Sequence, residues 1–197
     1  MISHKYKFIF IHIPKTGGLS VFNALMPFCD DDKFMRGHAS QSDYLKISKL
    51  ENYYQFSFVR NPFARLVSAY FFLKGGGHNN KHDKKIRDRL QLSGNNFRDF
   101  IRNDLGCLIE DRVVHFIPQL NFLNSDVSKV EVFKIENINF NFKKVCDRIG
   151  ISNQKILHLN KTKHFHYSEY YDFETKQIVA EKYAKDIDFL GYEFENK

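Results

Sequence analysis

The sequence has no tryptophan and few cysteines, which limits what can stabilise its fold. Its three cysteines, Cys29, Cys107 and Cys146, are isolated and show no C-x-x-C spacing. This odd and scattered set argues against a disulfide framework and against a structural zinc site. Aromatic residues still make up 16% of the chain, mainly as 21 phenylalanines and 10 tyrosines. We therefore expect a core filled mostly by phenylalanine and tyrosine rings.

Long hydrophobic runs are missing as well. No stretch of about eighteen consecutive apolar residues occurs, and no hydrophobic leader with a cleavage site precedes the first predicted strand. These absences predict a cytoplasmic protein without an integral membrane segment. Linkers, internal repeats and low-complexity tracts are also absent, so residues 1–197 are expected to form one domain.

Basic residues outnumber acidic ones along the chain. The 30 lysines and arginines against 23 aspartates and glutamates give a formal net charge of +7. Such a balance raises the local concentration of anionic partners. No RNA-recognition, helix-turn-helix or zinc-finger motif accompanies the charge, so nucleic acid is not the expected partner. The histidines also lack the H-x-x-x-H spacing of a helical metal site, and we expect no bound metal.

Predicted strands and helices alternate along the sequence. Short apolar runs predict strands at 5–13, 54–59 and 130–135. Apolar periodicity and capping residues predict helices at 19–28, 42–49, 62–73, 97–103, 142–149 and 175–185. This alternation predicts an α/β fold with a central parallel sheet flanked by helices. The polar stretch at 75–88, which starts with three glycines, is expected to be a mobile surface insertion or, alternatively, an acceptor-binding element.

Two segments place phosphate-binding residue types where a strand runs into a helix. The first, FIFIHIPKTGGLS at 8–20, ends its strand near Pro14 and turns through Lys15 and the residues after it. The second, FSFVRNPFARLVSAY at 56–70, ends its strand at Arg60 and starts a helix at Asn61-Pro62. Helix N-termini offer unpaired backbone N–H groups and a partial positive charge, so anions collect there. Both turns would lie at carboxyl ends of parallel strands, and the pair predicts a ligand with two separate phosphates.

The first turn differs from the common Walker A phosphate loop. That loop reads G-x-x-x-x-G-K-[ST], with its lysine after the last glycine. Here Lys15 and Thr16 precede Gly17 and Gly18, and no upstream glycine exists. The order argues against a standard ATPase or GTPase. An atypical P-loop kinase and a nucleotide- or glycan-binding module without catalysis stay open as alternatives.

The two segments together resemble a known enzyme family. The pattern P-K-T-G-G-x-S after a strand, followed some forty residues later by V-R-N-P-F-x-R-L-x-S-A-Y, is similar to the sulfotransferases, and most of all to the carbohydrate branch that contains the heparan sulfate and uronosyl O-sulfotransferases. The resemblance implies a P-loop-NTPase-like sulfotransferase fold. It also implies 3′-phosphoadenosine-5′-phosphosulfate (PAPS) as sulfate donor and a hydroxyl of a glycan or polysaccharide as acceptor. By the same resemblance, the 5′-phosphosulfate end is bound by Lys15, Thr16, Gly17, Gly18 and Ser20, and the 3′-phosphate by Arg60 and Ser68.

Further segments resemble the same family in the same order. They are M-R-G-H-A at 35–39, H-F-I-P-Q at 115–119, a strand ending E-N-I at 136–138, and the stretch from L-N-K-T at 159–162 to Y-Y at 170–171. The G-H pair supplies the catalytic base in heparan sulfate O-sulfotransferase relatives, which implies that role for His38. Those relatives carry H-G-H where this chain has R-G-H, so the assignment rests on His38, with His12 and His115 as further candidates.

The residue types fit the chemistry of sulfuryl transfer. As in phosphoryl transfer, a nucleophile and a leaving oxygen lie in line across a group whose charge must be held. Lys15 carries a compact ammonium that suits the leaving oxygen between sulfate and 5′-phosphate. A histidine with an ordinary pKa of about 6.5 can take the proton of the acceptor hydroxyl, which makes His38 the predicted base. Arg60 offers a planar fork to phosphate oxygens, whereas Arg65 is expected in an exposed ion pair.

Overall fold

The computed structural model describes residues 1–30, 37–46, 50, 52–92, 94, 96–123, 126–152, 154, 156 and 165–197. The chain divides into two compact units, each made of two chain segments. The first unit contains Met1–Arg60 and Gln119–Lys161, and the second contains Asn61–Pro118 and Thr162–Lys197. The expectation of one domain over residues 1–197 stays a prediction.

A four-stranded sheet forms the centre of the first unit. Its strands, in spatial order, are β1 (Ile2–Ser3), β2 (Phe8–Ile11), β3 (Tyr54–Val59) and β4 (Val130–Lys134). Strands β2, β3 and β4 run parallel, and β1 pairs antiparallel with β2. β2 and β3 are buried along almost their whole length, as expected for parallel strands that are covered on both faces. The predicted α/β fold with a mostly parallel sheet is confirmed.

Helices surround these strands in the order of the chain. The described residues contain α1 (Gly18–Leu25), α2 (Gln41–Leu45), α3 (Pro62–Lys74), α4 (Lys81–Leu92), α5 (Phe97–Asn103), α6 (Leu105–Glu110), α7 (Ile138–Ile149), α8 (Phe173–Lys182) and α9 (Ala184–Leu190). The prediction for 97–103 has the observed bounds. The helix predicted at 142–149 starts earlier, and the one predicted at 175–185 is two helices, α8 and α9. Residues 47–49 of the helix predicted at 42–49, and the motif at 159–162, lie outside the described residues.

Phenylalanine rings fill the core of the first unit. Phe8, Phe10, Phe56 and Phe58 are completely buried on β2 and β3, where they meet apolar residues of α1 and α7. The rings of Phe10 and Phe56 stack with their centroids 5.2 Å apart. Offset ring pairs at such distances contribute beyond the area they bury. The aromatic core expected from the composition is therefore confirmed in this unit.

Helix α3 forms the centre of the second unit. Ten of its 13 residues are buried, and its apolar side chains pack against α4, α5 and the C-terminal helices. Arg65 lies in this buried set, so the expectation of an exposed ion pair is wrong. Its guanidinium donates to the carbonyl of Ile117 at 3.0 Å, and the buried carboxylate of Asp186 interacts with its charge. The buried arginine thus has partners that offset the cost of its desolvation.

The surface loop expected over 75–88 is wrong from residue 81 onward, because α4 begins there. The alternative of an acceptor-binding element stays a prediction. Ile86 and Leu90 are buried in the second core, four residues apart on one helical face. In the first turn of α4, the carboxylate of Asp83 accepts from the backbone N–H of His78 at 2.8 Å and from the Asn80 side chain at 3.1 Å. Because most residues of this stretch are charged or polar, its sequence did not indicate the narrow apolar stripe of the helix.

We expect Asp83→Ala to destabilise the second unit. Asp83 is 2% exposed, and its removal leaves the backbone N–H of His78 without the acceptor that this buried carboxylate provides. The expected loss is about 1–3 kcal/mol in the free energy of unfolding, measured by urea denaturation. Asp88→Ala on the exposed side of the same helix is the control, because its pair with Arg87 lies in solvent. Equal losses in the two variants would contradict this role of Asp83.

Candidate active site

The first phosphate turn joins the end of β2 to the start of α1. Within it, Lys15 has a φ of 67° and Gly17 a φ of 73°, both in the left-handed region. For a lysine this backbone conformation costs free energy, and such strain concentrates at functional sites. Turns with residues in the left-handed region are among the backbone conformations that form anion-binding concavities.

The two glycines of this turn are required for different reasons. Gly17 caps α1 in a left-handed conformation, and a Cβ there would lie 2.5 Å from Cδ1 of Ile135. Gly18 has no such φ, but a Cβ at this position would collide with Cδ2 and Nε2 of His12. The imidazole of His12 therefore packs directly on the first residue of α1. A larger residue at either position would change the shape of the turn.

Lys15 and Arg60 meet although they are 45 residues apart in sequence. They follow β2 and β3, which are parallel neighbours, so both lie at the same edge of the sheet. Nη1 of Arg60 donates to the carbonyl oxygen of Lys15 at 3.5 Å. Burial, together with the positive charge of Arg60, lowers the pKa of Lys15 to about 8. Two cationic side chains at one edge of the sheet favour the binding of an anion there.

The backbone of Arg60 is held by a buried side chain. Oε1 of Gln119 accepts from the Arg60 N–H at 2.9 Å, and Nε2 of Gln119 donates to the Arg60 carbonyl at 2.9 Å. Gln119 starts a short 3₁₀ helix, Gln119–Phe122, and is completely buried. Sequence reasoning did not place it in the site. The signal was available, because Gln119 is the last residue of the H-F-I-P-Q segment.

His38 lies against His12 at the end of β2. Nδ1 of His38 donates to the carbonyl oxygen of His12 at 2.9 Å, and the two ring centroids are 4.6 Å apart. Because a carbonyl oxygen only accepts, this bond places a proton on Nδ1, and in neutral His38 the lone pair is then on Nε2. Burial and the nearby charge of His38 lower the pKa of His12 to about 3, so the His12 side chain is neutral near pH 7.

The remaining predicted site residues, Thr16, Ser20, Ser68 and His115, are all buried. The hydroxyl of Thr16 is buried and donates to the carbonyl of Ile13 at 2.9 Å, which fixes the turn itself. Ser20 is buried in the first turn of α1. Ser68 and His115 belong to the second unit and are buried there. The donor-binding roles expected for Thr16, Ser20 and Ser68, and that of His115 as a further candidate base, stay predictions.

The described part of the chain shows neither a metal-binding cluster nor a membrane-spanning helix. There, no group of three or more histidine, cysteine, aspartate or glutamate side chains could hold a metal ion. No helix in the same ranges is long and apolar enough to cross a membrane. Arg36 of the R-G-H segment lies outside the described residues. The expectation that the reaction needs no metal stays a prediction.

A lysine and an arginine that meet at a glycine turn, at the edge of a parallel sheet, are residue types suited to anionic esters. The chain belongs to the sulfotransferase family, whose family model matches residues 1–193. Members of this family use PAPS as sulfate donor, so the protein is a PAPS-dependent sulfotransferase. Comparisons with curated proteins and with solved structures gave no match.

We expect Gly18→Ala to disturb the site, because the added methyl group collides with the His12 ring. The expected loss is on the order of 1–3 kcal/mol in the free energy of unfolding, as for an overpacked core. Gly106→Ala in α6 is the matched control, because its nearest neighbour would be Nζ of Lys182 at 3.6 Å. That variant should gain up to about 1 kcal/mol from helix propensity. Urea denaturation that shows no difference between the two variants would contradict the contact.

Proposed function

We propose that the protein transfers the sulfuryl group of PAPS to a hydroxyl of a carbohydrate by in-line displacement. His38 acts as general base, and Lys15 stabilises the leaving oxygen. When bound, PAPS supplies an activated sulfate on a phosphate leaving group. The resemblance to the carbohydrate O-sulfotransferases supports this acceptor class, and the net charge of +7 fits an anionic glycan or polysaccharide.

The residues at the site fit a donor with phosphates at both ends. Lys15 and the glycine turn bind the 5′-phosphosulfate end with an ammonium group and backbone N–H groups. Arg60 binds the 3′-phosphate through its planar guanidinium, which matches phosphate oxygens in pairs. The positive charge of Arg60 near Lys15 supports this, because a bound anion would offset the repulsion between the two cations. The role of Ser68 in binding the 3′-phosphate rests on the family resemblance alone.

Lys15 has two properties that suit the leaving group. At pH 7 Lys15 is protonated in most molecules, because its pKa is about 8. It therefore carries a positive charge when negative charge develops on the leaving oxygen. Its positive φ holds the residue in the turn from which the ammonium extends. A fixed charge in a partly buried site stabilises a transition state without reorganisation of water.

The hydrogen bond from His38 to the His12 carbonyl is the observation that carries the assignment of the base. It orients the imidazole and keeps the proton on Nδ1, so Nε2 is the nitrogen that accepts the proton of the acceptor hydroxyl. Since the acceptor in this bond is a backbone atom, substitution of the His12 side chain leaves it in place. His12 itself is a poor base near neutral pH because of its lowered pKa.

We expect His38→Ala to lower kcat by roughly 10²–10⁴-fold, the usual contribution of general base catalysis. Its affinity for adenosine 3′,5′-bisphosphate should stay within about twofold, because the phosphate-binding residues are untouched. The measurement is transfer of radiolabelled sulfate to a panel of polysaccharides, oligosaccharides and small alcohols.

His4→Ala is the matched control for this experiment. His4 belongs to the same unit, is exposed, and has its Nδ1 3.0 Å from the Tyr53 hydroxyl. Unchanged turnover in His38→Ala would exclude the role of His38 as base. Transfer by the wild type to small alcohols alone would contradict a carbohydrate acceptor.

Binding of adenosine 3′,5′-bisphosphate at pH 8.5 should be accompanied by proton uptake. At this pH most of the free protein has neutral Lys15, because its pKa is about 8. A bound phosphate raises that pKa, so the complex takes up roughly half a proton or more. Below about pH 7 Lys15 is already protonated, and its contribution disappears. Calorimetry in buffers of different ionisation enthalpy measures the uptake, and Lys15→Met should abolish it. Equal heats in all buffers would contradict the assignment.

A further inference from the structure

Gln119 holds a part of the backbone that the sheet itself cannot hold. The last paired residue of β3 is Val59, opposite Lys134 of β4, and the pairing with β2 ends at Ser57. Arg60 therefore lies one residue beyond the ladder. Buried backbone N–H and C=O groups need hydrogen-bond partners. The Gln119 amide forms hydrogen bonds of 2.9 Å with both the N–H and the C=O of Arg60. These bonds take the place of the backbone hydrogen bonds that a continued strand would have made.

This arrangement fixes the starting direction of the Arg60 side chain. Two hydrogen bonds, one to the N–H and one to the C=O, restrict both backbone dihedral angles of Arg60. The guanidinium then extends to the phosphate turn, where Nη1 reaches the Lys15 carbonyl at 3.5 Å. Arginine recognises phosphate through a planar fork whose two N–H groups must be aligned. A shift of the Arg60 backbone would therefore reduce phosphate binding without removing any charge.

We propose that Gln119 is a positioning residue for recognition of the donor's 3′-phosphate by Arg60. This inference rests on the proposed function, which assigns the 3′-phosphate to Arg60. Gln119 acts through the Arg60 backbone and is completely buried. Its substitution should reduce the preference for nucleotides that carry a 3′-phosphate, and should leave binding of the 5′-phosphate at the Lys15 turn unchanged.

The first unit contains a second glutamine with almost the same environment. Gln41 is completely buried, its Oε1 accepts from the Asp126 N–H at 2.9 Å, and its Nε2 donates to the Asp126 carbonyl at 2.9 Å. Gln41→Met removes the same kind of backbone clamp as Gln119→Met, but at a residue with no part in the proposed nucleotide site. The two variants therefore separate a loss of stability from a loss of positioning.

The test compares the dissociation constants of adenosine 3′,5′-bisphosphate and adenosine 5′-monophosphate by calorimetry. We expect the wild type to prefer the bisphosphate by about tenfold or more, as one well-placed charged contact provides. Gln119→Met should lose most of this preference and bind the monophosphate within about twofold of the wild type. Gln41→Met should keep the preference. In an Arg60→Ala background, Gln119→Met should have little further effect on it, because the two residues act as a unit.

The outcomes distinguish this inference from the proposed function. A wild type without a preference for the bisphosphate would overturn the assignment of Arg60 and the role of Gln119 with it. A wild-type preference that Gln119→Met retains would overturn the role of Gln119 alone. So would an equal loss of preference in Gln41→Met, because it would show a general effect of stability. If Gln119→Met does not fold, Gln119→Asn, whose shorter amide cannot reach both backbone groups, takes its place with the same expected result.

Discussion

The parallel pairing of β2 with β3 is the constraint on which the site depends. Parallel neighbours end at the same edge of a sheet, so the residues that follow them are brought together whatever their separation in sequence. Lys15 and Arg60 meet for this reason, and burial together with the charge of Arg60 lowers the pKa of the lysine. An antiparallel pair would place the two cations at opposite edges, and no shared anion site would form.

His12 connects three parts of this site. Its ring occupies the space in which a side chain at position 18 would lie, and its carbonyl accepts from Nδ1 of His38. The end of β2, the start of α1 and the loop that carries the predicted base are thus held by one residue. Its low pKa keeps this residue neutral near pH 7, so it adds no positive charge beside His38. Gln119 has a comparable function at the end of β3, where its amide holds the backbone of Arg60.

Predictions from the sequence were best where a local signal was strong. The apolar run of β3 and the capped helix α5 have the predicted bounds, because burial and capping each leave a clear pattern. The stretch at 75–88 was misjudged, since its charged residues outnumber Ile86, its one buried apolar residue within α4, and Leu90, which also anchors the helix, lies beyond it. Arg65 was misjudged for a related reason: the type of a residue does not reveal that its neighbours supply a buried carbonyl and a buried carboxylate.

The sequence by itself determined the alternation of strands and helices, the glycine turn after β2, and the residue types suited to sulfuryl transfer, because these follow from patterns of neighbouring residues. It also determined the family to which the chain belongs, since the family model matches nearly the whole chain. Only the tertiary structure decided that Lys15 meets Arg60, that the His12 carbonyl orients His38, and that Gln119 clamps Arg60. These contacts join residues 26 to 59 positions apart, and such pairs are specified by the packing of the strands and not by any local pattern.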